Sequence, residues 1–91
     1  MTTSAVWIQV DPEHVVHALQ EAVEKMNHGE AEVVLDFSSV PRIDPGAVAA
    51  MEELAGLAAG RSVQVVLRGV NADIYRVLKL VKLAQKFSFP A

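Results

Sequence analysis

The chain has 91 residues, a formal net charge of −3, no cysteine and an apolar fraction of 52%. A chain of this length forms one small domain, which buries about 60–65% of the surface that its unfolded form exposes. The lack of cysteine excludes disulfide bonds, thiol catalysis and zinc–thiolate sites, and no apolar run approaches the ~20 residues of a membrane-spanning helix. We therefore expect one domain over residues 1–91 that is cytoplasmic and does not insert into a membrane.

Charge is distributed unevenly along the chain. Residues 1–36 carry seven acidic residues against Lys25, whereas residues 68–91 carry five basic residues against Asp73. This asymmetry indicates either a basic docking face or a solvated helix surface. Because nucleic-acid binding would need an overall basic excess with interleaved aromatic residues, we expect no nucleic-acid partner.

The first predicted unit is a strand followed by a helix. The residues WIQV at 7–10 favour a strand, and Asp11-Pro12 then has the pattern of a helix start. Apolar residues recur at helical spacing from Val15 to Met26. The pattern therefore predicts that Asp11 caps the first helix.

The second unit begins with the nearly continuous apolar run at 33–37, which is typical of a strand buried on both faces. Asp44 and Pro45 predict the start of the second helix. The Asp side chain can accept a hydrogen bond from a free amide, and Pro at the first helical position lacks an N–H that would need a partner. Gly60 is expected to end this helix. Its predicted core stripe is Val48, Met51, Leu54, Ala55 and Ala58.

The third unit is a strand at 63–67 followed by a helix that Asn71 caps, and residues 87–89 are expected to add a short last strand. The three predicted caps lie about thirty residues apart, as successive βα units require. We therefore predict a single α/β domain, with a mostly parallel four-stranded sheet covered by three helices. The alternative is another small βαβ arrangement, of flavodoxin or ferredoxin type. The residues expected to face inward from the third helix are Ile74, Val77, Leu78 and Val81.

No complete catalytic site is visible in the sequence. Asp44 is explained by helix capping and Asp36 by the turn at a strand end, without a nucleophile or base beside them. His14, His17 and Glu21 share the outer face of helix one but lack a fourth ligand, so a solvated face explains them better than a metal site. Glycine-rich phosphate loops are absent. We therefore expect a protein that is not an enzyme and has no cofactor or metal.

The segment at 33–48, VVLDFSSVPRIDPGAV, resembles the signature of STAS domains, the fold of bacterial anti-sigma factor antagonists. In that family a buried strand, an LDLS-x-V turn and an IDSSG-like helix start occur together. The resemblance covers roughly residues 8–89 in the same element order. It implies a STAS-like fold and a bacterial protein-interaction module in signal transduction and transcription regulation. Its partner would be an anti-sigma factor or a kinase-like protein.

The resemblance also implies where the partner would dock. STAS domains engage partners through the second helix and the turn before it, here residues 38–59. In the family the hydroxyl residues after the Asp form a phosphorylation switch, but Pro45 and Gly46 stand there in this chain, so the usual phosphorylatable residue is missing. The predicted partner-binding residues are Ser38, Ser39, Arg42, Asp44, Pro45, Gly46, Ala49, Ala50, Glu53 and Leu57.

The outer face of the second helix agrees with a docking role. Opposite the core stripe it carries small and apolar residues instead of the charged residues of a solvent face. An Ala-rich helix selected for helix propensity is the other explanation. Given the resemblance, we favour a docking surface for a partner helix. The residues of this face are Gly46, Ala49, Ala50, Glu53, Gly56 and Leu57.

A second resemblance concerns residues 65–75, VVLRGVNADIY, which are similar to the strand–GVN–helix segment of small STAS subunits that bind ABC ATPases in bacterial lipid transport. It implies an alternative function, a STAS-type regulatory subunit of an ABC transporter ATPase. The chain also departs from the family, because only six residues precede Trp7 where STAS domains usually have an extra strand. An open sheet edge would result, and we count a homodimer through that edge among the candidate assemblies.

Overall fold

The structure is a computed structural model, and it describes residues 5–90. Three strands alternate with three helices, as the sequence predicts, and a short 3-10 turn follows. The elements are β1 Ala5–Gln9, α1 Val15–Asn27, β2 Glu32–Asp36, α2 Pro45–Arg61, β3 Gln64–Arg68, α3 Ala72–Leu80 and the 3-10 turn Ala84–Lys86.

The three strands form a parallel sheet in the order β1-β2-β3, in which Ile8, Leu35 and Leu67 lie in one row across the sheet. Because parallel crossovers are right-handed, a strand order that advances in one direction places both connecting helices on the same face. The buried core lies on that face and joins residues of the strands and all three helices. Val34 and Val66 are buried on the opposite face, outside this core.

The predicted fourth strand at 87–89 is wrong. Only Ser88 pairs with the sheet, through one parallel bridge to Val66. Its N–H donates to the Val65 carbonyl at 3.0 Å, and its carbonyl accepts from the Leu67 N–H at 2.9 Å. Pairing stops there because the 3-10 turn occupies the chain up to Lys86 and Pro90, which has no N–H, follows. The described sheet therefore has three strands.

Two of the three predicted caps are confirmed. Asp44 Oδ1 accepts from the Ala47 N–H at 2.7 Å, and Asn71 Oδ1 accepts from the Ile74 N–H at 2.8 Å. Asp11 instead forms a turn, because its Oδ1 accepts from the Glu13 N–H at 2.9 Å and α1 begins only at Val15.

Two helix ends also differ from prediction. Helix α2 passes through Gly60 to Arg61 and ends where Ser62 adopts a left-handed conformation with φ of 57°. Helix α3 ends at Leu80, so Val81 lies beyond it and is 38% exposed instead of facing inward.

The predicted core stripe of α2 is buried at four of its five positions, whereas Val48 is only half-buried. None of the helices in residues 5–90 has the length and hydrophobicity that crossing a bilayer requires.

Candidate functional site

The turn between β2 and α2 has two buried residues at its ends and two exposed residues between them. Phe37 and Val40 are buried, and the Val40 N–H donates to the Phe37 carbonyl at 2.9 Å, which closes a tight turn. Ser38 and Ser39 lie between these anchors and are exposed. The two serines are therefore presented outward by a turn that the core holds in place.

Asp36 stabilises the start of this turn as an ionised group. Its Oδ1 accepts from the Ser38 N–H at 2.9 Å. Hydrogen bonding from the Ser38 side chain and backbone, assisted by the charge of Arg68, holds the pKa of the Asp36 carboxyl below its ordinary value. Asp36 and Asp44 each bind a nearby backbone N–H, so both carboxylates have structural tasks.

The segment after β3 supports the turn from the side. Gly69 has φ of +70°, and a Cβ built on it would lie 2.8 Å from Cα and Cβ of Ser38. The Asn71 side-chain amide donates to the Pro41 carbonyl at 2.9 Å while its oxygen caps α3. The sequence indicated only a capping role for Asn71. The contact of Gly69 and Asn71 with the turn follows from the sheet order, since the carboxyl ends of neighbouring parallel strands meet at one edge.

The outer face of α2 is narrower than predicted. Ala50 and Leu57 are half-buried and pack against the core, so they form the flank of the face. The exposed part of this face is polar only at Glu52 and Glu53. The residues of α2 that are exposed at and near this face are Gly46, Ala49, Glu52, Glu53, Gly56 and Ala59.

A shallow groove lies between the start of α2 and the end of α3. One wall of the groove is formed by α2 and the residues just before it, and it includes the predicted residues Asp44, Pro45 and Ala49. The other side is formed by Val77 and Val81 of the α3 region, which the sequence placed in the core. Val77 is half-buried within α3, and Val81 lies beyond the end of α3 at Leu80, so both side chains line the groove. The complete lining is Ile43, Asp44, Pro45, Val48, Ala49, Glu52, Val77 and Val81.

Arg42 belongs to a different part of the surface. It lines a cleft between the starts of α1 and α2, together with His14 and His17. His14 Nδ1 lies 3.4 Å from Asp11 Oδ2 in the turn before α1. Within residues 5–90 there is no group of three His, Asp or Glu side chains that could hold a metal ion. The predicted site residues are thus divided between the α2–α3 groove, the exposed turn, this second cleft and the remaining outer face of α2.

Comparisons with known proteins give a family and a fold. A family model described as "Mlab, STAS domain" matches residues 9–88. A crystal structure at 1.59 Å resolution of a Thermotoga maritima protein, provisionally described as an anti-sigma factor antagonist, is similar with 19% identity and a TM-score of 0.71. The alignment covers 98% of this chain and 74% of that one.

An NMR structure of the same protein, TM1081, is similar as well, with 17% identity and a TM-score of 0.76 over 99% of this chain and 76% of that one. At this identity the two likenesses establish a shared fold. No curated protein matches the chain significantly.

Proposed function

This chain belongs to the STAS domain family, and we propose that it is a non-enzymatic, anti-sigma factor antagonist-like module that docks a protein partner through residues 38–59. The observation that carries the proposal is the mainly apolar groove between α2 and the end of α3. Contiguous exposed apolar surface rimmed by polar residues is characteristic of protein-binding sites. Glu52 and Glu53 supply such a rim on the α2 side.

The partner element that fits this surface best is a helix. Ala49 and Gly56 are exposed on α2, and their small size lets another helix approach its backbone closely. The distance between packed helices depends on the side chains at their contact. Val77 and Val81 would then receive apolar side chains from the partner on the α3 side. Ser38 and Ser39, which are exposed in the turn before α2, would add polar contacts with the partner.

We further propose that the interaction is constitutive. Pro45 and Gly46 offer no hydroxyl at the position of the family's switch. Ser38 is a poor substitute, because a phosphate on it would bring about −1.5 to −2 charges next to the Asp36 carboxylate that organises the turn. Binding would therefore be controlled by the partner's abundance or state.

A second candidate function, regulation of an ABC transporter ATPase, is favoured by the segment Gly69-Val70-Asn71. This segment supports the docking turn through the close approach of Gly69 to Ser38 and the hydrogen bond from Asn71 to Pro41. An ATPase partner would thus use the same surface as an anti-sigma factor. The two candidates differ in the identity of the partner and not in the location of the site.

Affinity capture from the native host tests the proposal and separates the candidates. The chain, its Ala49→Arg variant and an Ala31→Arg control should be compared. Ala31 is exposed just before β2, at the end of the sheet away from the turn. Wild type and Ala31→Arg should capture the same partner, either a kinase-like protein or an ATPase, and Ala49→Arg should not. Equal capture by a folded Ala49→Arg variant would refute docking at this groove.

A further inference from the structure

The groove between α2 and the end of α3 carries charge of one sign. The eight described residues that line it include two acidic residues, Asp44 and Glu52, and no basic residue. Both acidic residues are exposed. The capping bond from the Ala47 N–H uses Oδ1 of Asp44, and a carboxylate has a second oxygen that can accept from a partner. The α2 wall therefore presents two carboxylates beside its apolar residues.

An acidic residue also flanks the opposite wall of the groove. Asp73 is exposed and lies four residues before Val77 on α3. Side chains four residues apart share a face of a helix, so Asp73 lies one turn from the part of the wall that Val77 forms. Acidic residues thus accompany the apolar lining on both sides of the groove.

The basic residues of this region lie elsewhere. Lys79 and Lys82 line a separate hollow beside α3, and Arg42 lines the cleft between the starts of α1 and α2. Arg76 precedes Val77 by one residue on α3, which turns its side chain about 100° round the helix from the groove. The groove is therefore acidic, although the last quarter of the chain is basic overall.

We infer that the partner presents a basic amphipathic helix to this groove, with an apolar stripe flanked by lysine or arginine. The inference rests on the proposed docking function and names the chemistry of its partner. Complementary charges across an interface fix its register and suppress wrong partners. An acidic helix with the same apolar stripe would meet Asp44 and Glu52 as like charges, so the groove selects against it.

The spacing of the two carboxylates indicates where the basic residues of the partner lie. Asp44 is the N-cap of α2 and Glu52 lies eight residues later, which is about 12 Å along a helix. On a partner helix that packs at a shallow angle of about 20°, the matching basic residues are therefore about two turns apart on one flank. The apolar stripe of that helix would cover Val48 and Ala49 and reach Val77.

Fluorescence anisotropy with two labelled synthetic peptides tests the inference. Both peptides are helices of about five turns with the same leucine and alanine stripe. One has lysine and the other has glutamate at the same flanking positions, about two turns apart. The wild type should bind the lysine peptide at least about tenfold more tightly than the glutamate peptide at low salt. Because the charges are exposed, this preference should shrink as the salt concentration rises.

Glu52→Lys should abolish or reverse the preference. Glu21→Lys is the matched control, because Glu21 is exposed on α1, lines a different hollow and undergoes the same change of charge. It should keep the preference of the wild type, and circular dichroism should show both variants folded. A wild type that binds the two peptides equally, or binds neither, overturns the inference. A folded Glu52→Lys variant that keeps the full preference for the lysine peptide overturns it as well.

Capture from the native host distinguishes failure of this inference from failure of the proposed function. Ala49→Arg decides whether the groove docks a partner, and Glu52→Lys decides whether charge selects that partner. Glu52→Lys should capture less of the partner than Glu21→Lys does. Loss of capture by Ala49→Arg together with full capture by Glu52→Lys would refute the basic helix and leave docking at the groove intact. Full capture by a folded Ala49→Arg variant would refute docking at the groove, and the basic helix with it.

Discussion

Gly69 and Ser38 lie so close together that no side chain fits between them. A Cβ on Gly69 would be 2.8 Å from both Cα and Cβ of Ser38 and 2.9 Å from its backbone nitrogen. The segment after β3 is therefore packed directly against the turn after β2. The two loops act as one support for the proposed docking surface.

Replacing Gly69 by alanine should destabilise the domain. The substitution combines a steric conflict with Ser38 and a φ of +70°, which L-residues rarely adopt. We expect a loss of about 1–3 kcal/mol in the free energy of unfolding, measured by urea denaturation. Gly56→Ala is the matched control, because its Cβ would meet nothing within 4 Å inside α2. It should stabilise the domain by about 0.5–1 kcal/mol. Equal effects of the two substitutions would contradict the close packing of Gly69.

Asn71 should contribute more to stability than Asp44, although both cap a helix. Asn71 Oδ1 caps α3, and its amide also donates to the Pro41 carbonyl, whereas the side chain of Asp44 accepts one bond from Ala47. Asp44→Ala should cost about 1 kcal/mol of unfolding free energy. Asn71→Ala should cost roughly 0.5–1.5 kcal/mol more, because a second hydrogen bond is lost. If the two alanine variants unfold at the same urea concentration, the bond to Pro41 does not stabilise the fold.

Asp36 should make the stability depend on pH at the acid end. Hydrogen bonding from Ser38, assisted by Arg68, lowers the pKa of Asp36 in the folded state from the ordinary value of 3.8. The ionised carboxylate therefore stabilises the fold above pH 3.8, and this contribution is lost as the pH falls through the folded pKa. Asp36→Asn keeps an acceptor but cannot ionise. Its deficit in unfolding free energy should be present at neutral pH and shrink in acid, and a deficit independent of pH would contradict the assignment.

Helix starts that depend on a neighbouring capping side chain were predictable from the sequence. Asp44 and Asn71 lie directly before their helices, and both cap as predicted. Asp11-Pro12 has the same local pattern but forms a turn, because Asp and Pro favour turns as well as helix starts. Short-range sequence alone does not distinguish the two outcomes at Asp11.

The groove could not be predicted, because it depends on where α3 ends. Helical periodicity placed Val81 in the core, but the chain leaves the helix after Leu80 and Lys82 adopts a left-handed conformation with φ of 64°. Such a conformation at a residue other than glycine has no clear sequence signal. Ala49 was identified correctly as exposed, while its apolar neighbours across the groove became visible only in the assembled domain.

Phosphorylation should not regulate this chain at the turn. Ser38 donates its N–H to Asp36 and packs against Gly69, so a phosphate there would meet a carboxylate and disturb the turn. Ser39 is exposed, and we expect it to remain unmodified as well. Intact-mass spectrometry after incubation with the cognate kinase should find the chain unmodified. Stoichiometric phosphate on Ser38 or Ser39 would contradict a constitutive interaction.

Substitution should destabilise the domain at the buried face of α2 and have little effect on stability at the exposed face. Met51 is fully buried in the core, so Met51→Ala should lower the free energy of unfolding by about 2–5 kcal/mol through lost burial and a cavity. Ala49 is exposed at the groove, and Ala49→Arg should change stability by only about 0.5 kcal/mol. Urea denaturation measures both values. Should Ala49→Arg unfold the domain, the exposed face of α2 would be wrongly assigned, and the docking surface would have to be sought on the opposite side of the groove, at Val77 and Val81.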